Sequence, residues 1–285
     1  MNMKVGLVLE GGAMRGMYTA GVLDVFLENG IEFDGIIGVS AGAIFGVNFL
    51  SKQKGRVIRY NKRFNGDKNY LGLRPLIKTG NIVDTELAYH KVPRELDIFD
   101  DATYMASKVP FYAVVTNIET GEAEYKQVTS VFEQMDILRA SASMPFLSRP
   151  VIIDGNKYLD GAIADSIPFE KFKEMGYDKL VVVLTKDKDY VKKPMSPLLT
   201  KAGYGRKYPK FEYRLRQRYA MYNETMERLK ELEQKQEVFV VQPSQRLEVG
   251  RIEKDPDKLQ ALYDLGIKDA QSMLEDIKEY LKDRR

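Results

Sequence analysis

The residues best suited to do chemistry are a serine among mostly small neighbours, Gly38-Val39-Ser40-Ala41-Gly42. The pattern lies between a β-prone run, Gly35 to Val39, and a helical stretch, Ala41 to Leu50. A strand that turns abruptly into a helix has no room for bulky Cβ substituents beside the turn. Gly38, Val39, Ala41 and Gly42 therefore read as a nucleophile elbow that holds the Ser40 hydroxyl clear of a sheet. The helix N-terminus beneath it favours negative charge at that point. The plainer alternative is a Gly/Ser-rich turn without chemical consequence.

A second glycine-rich turn, Gly11-Gly12-Ala13-Met14-Arg15-Gly16, follows the run Val5 to Leu9 and opens a helical segment, Met17 to Glu28. A phosphate-binding P-loop requires Lys and then Ser/Thr after the last glycine, where this chain has Met17-Tyr18. A dinucleotide fingerprint requires glycine at Ala13 and an acid at the end of the second strand, where Val39 and Ser40 stand. The remaining reading is an oxyanion hole, in which successive backbone N–H groups face the charge that develops on a carbonyl oxygen. A β-α-β unit brings the C-terminal ends of its two strands to one edge, so this turn and the Ser40 elbow become neighbours. Arg15 either reinforces those dipoles or faces solvent.

A serine needs a proton acceptor. The single histidine, His90, lies in the polar stretch Ala88 to Leu96, with no strand end to hold it at a catalytic edge. Carboxylates are then the candidates, because burial can raise an aspartate pKa towards the working range. Asp160-Gly161-Ala162 follows the short strand Lys157 to Leu159, and its small residues permit close backbone approach. The rival Asp154 precedes Gly155-Asn156 and reads as a hairpin tip. Asp160 is favoured.

These segments must be positioned by a sheet. Besides the runs already named, Phe111 to Thr116, Val151 to Ile153, Leu180 to Thr185 and Val238 to Val241 are apolar and β-prone. Such runs suit a sheet covered on both faces, which predicts an α/β fold with a mainly parallel central sheet. Turns at Glu119-Thr120-Gly121 and Asp154-Gly155-Asn156 predict hairpins. Ser130, with Glu133 as capping-box partner, predicts a helix to about Ser141. Phe211 to Gln236 and Asp257 to Lys282 read as helices, the latter opened by Asp255-Pro256.

In order, Glu10 to Gly16, Gly38 to Gly42, Ala140-Ser141-Ala142-Ser143-Met144-Pro145-Phe146 and Asp160-Gly161-Ala162 resemble the motifs of the patatin-like phospholipase family. The resemblance covers about residues 4 to 185. It implies a three-layer α/β/α fold and a Ser-Asp dyad: Ser40 attacks an acyl carbonyl, Asp160 takes its proton, and amides around Gly11, Gly12 and Ala13 stabilise the oxyanion. Two departures are visible. Ala13 stands where the family usually has a third glycine, and Asp165-Ser166 where it often carries asparagine before Pro168. The division expected is a catalytic domain over residues 1–190 and a C-terminal extension over 191–285, made of a basic, Tyr-rich segment, helices and one strand and packed on the same domain.

The implied activity is hydrolysis of phospholipids, lysophospholipids or simpler acyl esters, without cofactor. An acyltransferase using the same acyl-enzyme and a non-catalytic lipid-binding regulator are the alternatives; the latter has no need of Ser40, Asp160 and the glycine turn together. The 285 residues, 44% hydrophobic and 30% charged, are ordinary for a globular chain. The lack of cysteine excludes disulfides and thiolate metal sites, and no metal site is expected. No signal-peptide pattern or membrane-spanning run is seen, so a cytoplasmic address is expected. Two segments are strongly basic: residues 52–78 hold nine Lys/Arg against Asp67, and residues 186–218 hold eleven against Asp187, Asp189 and Glu212. They read as solvated faces or as a means of peripheral contact with an anionic membrane. No nucleic-acid module is present, so nucleic acid is not an expected partner. Oligomeric state is left open.

Overall fold

Alternating side chains of Val5–Leu9 (β1) divide between two apolar layers: Leu7 and Leu9 enter one, Val8 the other. The same alternation runs through Gly35–Val39 (β2), Phe111–Asn117 (β3), Lys179–Val183 (β7) and Val238–Val241 (β8). A sheet that is apolar on both faces must be covered twice. In the computed structural model, which describes residues 3–246 and 248–282, it is. Met17–Glu28 (α1), Ala41–Leu50 (α2), Arg56–Phe64 (α3), Leu73–Thr79 (α4), Asp101–Ala106 (α5) and Met135–Ser141 (α6) precede Phe169–Glu174 (α7), Pro197–Thr200 (α8) and Pro209–Gln234 (α9). The last two helices are Pro256–Ser272 (α10) and Leu274–Lys282 (α11). One face packs on α1, α2, α3 and α10, the other on α7 and α9.

The sheet runs β5-β6-β3-β2-β1-β7-β8, where β5 is Val151–Ile153 and β6 is Asn156–Asp160; β4, Ala123–Val128, pairs with β3. Neighbours among β3, β2, β1, β7 and β8 are parallel, while β4, β5 and β6 join antiparallel. This is the three-layer, mainly parallel α/β/α architecture expected. β8 comes from beyond residue 190, so the C-terminal part contributes a strand to the same sheet as well as covering helices. Residues 1, 2, 247 and 283–285 of the two expected domain spans lie outside the described residues.

Several expectations are refined. Asp257 to Lys282 is two helices, with Met273 between them. Ser130 Oγ accepts from Glu133 N at 3.2 Å, but the reciprocal bond comes from the next residue: Gln134 Oε1 accepts from Ser130 N at 3.3 Å and from Thr129 N at 2.6 Å. The α-helical turns start only at Met135. Between α4 and α5, Leu87–Leu96 winds as a π-helix that contains Pro93. Among the described residues no helix is long and apolar enough to cross a membrane.

Candidate active site

Strand register explains how Ser40 meets Asp160. On β3, Val114 pairs with Val39 of β2, and the next residue, Val115, pairs with Asp160 of β6. Because β2 runs parallel to β3 and β6 antiparallel, their C-terminal ends converge on one point of β3. Ser40 follows one end and Asp160 closes the other. Ser40 Oγ donates to Asp160 Oδ2 at 2.8 Å, and both residues are buried, each 5% exposed.

Ser40 sits at φ 54°, ψ −118°, a strained conformation for a side chain with a Cβ. It is held there by its amide, which donates to Ser141 Oγ at 2.9 Å, and by close backbone packing: a Cβ on Gly42 would lie 2.5 Å from Leu9 O. The elbow thus needs glycine at 42 because the end of β1 passes directly against it. Asp160 is equally fixed. Its amide donates to Ser143 O at 2.8 Å, its Oδ1 accepts from Ala162 N at 2.9 Å, and Thr116 Oγ1 donates to its carbonyl at 2.9 Å. A Cβ on Gly161 would lie 2.1 Å from Val114 O, so only glycine lets the chain leave β6 here.

Burial pushes the Asp160 carboxyl above the usual aspartate range. The Arg218 guanidinium, the Ala162 amide, the Ser40 hydroxyl and Arg251 act against that shift. The outcome is a carboxylate with raised proton affinity, bonded to a serine hydroxyl, which is the arrangement a general base requires.

The glycine turn borders the same space. Gly11, Gly12, Ala13 and Arg15 line one cavity with Ser40 and Asp160. Among the described residues no acceptor takes the N–H of Gly11, Gly12 or Ala13. Ala13 adopts φ 50°, so the alanine takes up the left-handed conformation in which the family's glycine would be unstrained. Met14 lines the apolar side, Gly16 is buried, and Arg15 Nε donates to Val249 O at 3.0 Å. Beneath the turn, buried Glu10 accepts from Thr185 N (2.6 Å), Thr185 Oγ1 (2.9 Å) and Tyr222 OH (2.9 Å), tying the turn to the end of β7 and to α9.

Two cavities meet at Ser40. One is apolar and passes Ile44, Phe45, Tyr60, Val92 and Leu138. The other contains Asp160 and is bordered by Arg15, Lys186, Lys192, Arg218 and Arg251.

The rejected candidates lie elsewhere. His90 is exposed and lines neither cavity; Asp154 is exposed at a hairpin tip, with φ 50° followed by Gly155 at φ 79°. Ser166 Oγ and Arg218 Nε both donate to Ala162 O, at 2.7 and 2.5 Å, supporting the aspartate turn despite its departure from the family pattern. Asp165 turns to Tyr125 OH at 2.8 Å, and burial pushes its carboxyl up to about 6. Sequence reasoning did not assign Ser141, Ser143, Thr116, Arg218 or Tyr222 to the site. The small-residue segment before Pro145 was the available signal for the first two; the others are long-range contacts without a local pattern.

A three-layer α/β/α chain with a strained serine elbow against a buried aspartate is thus the class that fold and site define. The chain belongs to the patatin-like phospholipase family, whose profile matches residues 7–173. Residues 208–282 match a domain of unknown function, DUF6363. Among curated relatives, the uncharacterized protein YjjU of Escherichia coli is 31% identical over 188 residues, 64% of this chain and 52% of that protein. Lysophospholipase nte1 of Aspergillus niger is 29% identical over 181 residues, 63% of this chain and 12% of that protein. The match therefore spans about half of the first relative and a small part of the second. The crystal structure of VipD from Legionella pneumophila aligns over 97% of this chain and 67% of that one, at 12% identity and a TM-score of 0.46.

Proposed function

We propose that the chain is a serine-dependent lipid acyl hydrolase that uses Ser40 and Asp160 as a dyad. The observation that carries this reading is the 2.8 Å bond between Ser40 Oγ and a buried, proton-avid Asp160 carboxylate where an apolar and a polar cavity meet. Ser40 Oγ attacks the ester carbonyl carbon as its proton passes to Asp160 Oδ2, and the oxyanion is stabilised by the free amides of Gly11, Gly12 and Ala13. Collapse expels the alcohol, which takes the proton from Asp160. Water then attacks the acyl-enzyme, giving its proton to Asp160, and Ser40 leaves with that proton as the fatty acid forms.

The apolar cavity suits the acyl chain, at about 0.8 kcal/mol per buried methylene. Relatives named lysophospholipases favour a lipid ester as substrate. The part beyond residue 190 belongs to the working unit in this reading, because Arg218 and Arg251 border the reacting groups.

Hydrolysis of a short p-nitrophenyl ester by wild type, Ser40→Ala, Asp160→Asn and His90→Ala, each checked for folding by circular dichroism, tests it. The first two variants are expected to lose about 10³-fold in rate, and His90→Ala to keep it. An inert wild type, or a dead His90→Ala, sinks the dyad.

A further inference from the structure

The polar cavity at Ser40 holds more positive charge than the protein neutralises. Arg15, Lys186, Lys192, Arg218 and Arg251 border it, with Asp160 as the acid among its lining residues. The same five cations continue into a larger cavity of about 950 Å³, where Lys188, Lys193 and Arg246 join them against Asp187, Asp189 and Glu248. Lys186 Nζ has Glu10 at 3.7 Å. Among the described residues, no carboxylate comes within 4.0 Å of a charged nitrogen of Arg15, Lys192, Arg218 or Arg251. Arg15 and Arg218 each spend Nε on a backbone carbonyl, and Lys192 Nζ lies 4.2 Å from the centre of the Tyr222 ring.

Holding five cations together in a partly enclosed space against two carboxylates, Asp160 and Glu10, is unfavourable. Burial, and then neighbouring cations, bring Lys192 down to about 7; burial brings Lys186 down to about 8. An anion placed among them would relieve that cost. Among the described residues the guanidinium groups of Arg15, Arg218 and Arg251 keep N–H donors free, in the fork geometry that fits phosphate oxygens.

Position relative to Ser40 says which part of a substrate this would be. With the acyl chain in the apolar cavity, the leaving group projects to the other side of the carbonyl, into the cationic one. We propose that this cavity is a subsite for a phosphate carried by the leaving group, supplied jointly by the segment after β7 (Lys186, Lys192), by α9 (Arg218) and by the segment before α10 (Arg251). All four residues lie outside the stretch matched by the family profile. The inference rests on the hydrolase reading for its orientation. Two sources share the chemistry: the glycerophosphate of a monoacyl phospholipid, and the phosphates of an acyl-coenzyme A thioester.

The test is binding to the Ser40→Ala protein, which is independent of turnover. Monopalmitoyl lysophosphatidic acid, lysophosphatidylglycerol and palmitoyl-coenzyme A are compared with uncharged monopalmitoylglycerol, all below their micellar concentrations. At least one phosphate-bearing ligand is expected to bind at least tenfold more tightly than the uncharged one. The preference should weaken with added salt and collapse when Lys192→Ala and Arg251→Ala are added together. Which phosphate ligand leads identifies the source. Equal binding of the uncharged ligand, or a preference that survives the double substitution, overturns the proposal. If p-nitrophenyl esters are cleaved but no phosphate preference exists, the subsite fails and the hydrolase stands. If the preference exists but wild type cleaves no ester, the subsite stands and the hydrolase fails.

Discussion

Residues 52–78 and 186–218 look alike as sequence, two runs with a large excess of Lys and Arg, yet the fold treats their charge in opposite ways. In the first, Arg56 is buried and fully partnered. Its Nε lies 3.2 Å from Asp97 Oδ1, its NH1 donates to Asn48 Oδ1 at 2.9 Å, and its guanidinium lies 5.2 and 5.3 Å from the ring centres of Tyr60 and Phe99. Arg59 adds a second, bidentate pair to the same carboxylate, at 2.8 and 2.9 Å. The second run turns Lys186, Lys192 and Arg218 towards a cavity with no carboxylate paired to Lys192 or Arg218 among the described residues. Charge excess along a chain is therefore no guide to a ligand site. What distinguishes Arg56 and Arg59 from Lys192 and Arg218 is whether the fold brings an acid within pairing distance: the α3 pair has Asp97 from the end of the π-helix, while Arg218 of α9 borders the cavity of the glycine turn and the elbow.

The largest effect that could break this contrast is at Asp97. Asp97→Ala removes the carboxylate opposite the buried Arg56 guanidinium, which keeps only neutral acceptors, the Asp97 backbone carbonyl and Asn48 Oδ1, and loss of one partner of a buried pair costs about 3–5 kcal/mol. For a chain of this size that corresponds to a fall in melting temperature on the order of 10 °C. Arg251→Ala, which removes an exposed cation of the same cavity that has no carboxylate partner among the described residues, is expected to leave the melting temperature unchanged. Similar losses in the two variants, read by calorimetry, would erase the distinction between structural and ligand-directed charge.

A smaller and opposite effect belongs to Lys192. Its folded pKa of about 7 lies below the ordinary value of 10.5, so the unfolded chain binds this proton more tightly than the folded one. By linkage, stability contributed here falls as pH drops from about 10.5 through about 7, and levels off below that. Lys192→Met, which keeps an apolar stem against Tyr222, is therefore expected to raise the melting temperature by about 2–4 °C at pH 6, with the gain vanishing near pH 10. A loss of stability at pH 6 would mean that the lysine is paired after all.

The same contrast marks what could be read from sequence. Strand-to-helix elbows and β-branched runs are local, and β1, β2, β8, α1 and α2 fall where the runs place them because nothing distant is needed to define them. Ser40 and Asp160 could be singled out as candidates for that reason, although their meeting depends on the antiparallel return of β6 onto β3. The wall of the apolar cavity was not legible. It draws on α3 and on a π-helix with an internal proline, short segments whose periodicity is too brief to read and whose burial is set by the sheet they cover. Helix α9 was foreseen as a helix, but nothing local announces that Tyr222 reaches Glu10 or that Arg218 reaches Ala162, contacts across more than fifty residues of chain.

Arg218 offers the finest test of the cationic side, because its charge acts on Asp160 of the proposed dyad as well as bordering the cavity. Its charge pulls the Asp160 pKa down against the effect of burial. Without it, less of the aspartate is ionised at a given pH, and a general base works only when ionised. Arg218→Gln is therefore expected to move the acid limb of kcat/KM for a neutral p-nitrophenyl ester to higher pH, so that its cost, relative to wild type, grows by about threefold as the pH falls through that limb. Arg218→Lys, which restores the charge without the fork, should return the limb towards the wild-type position. Asp165, whose carboxyl is pushed up to about 6, also gains a proton as the pH falls, so the profiles are best taken in an Asp165→Asn background. A limb that stays put in Arg218→Gln, with a uniform loss at every pH, would make this arginine a structural tie to the Ala162 carbonyl rather than a positioning residue for the base.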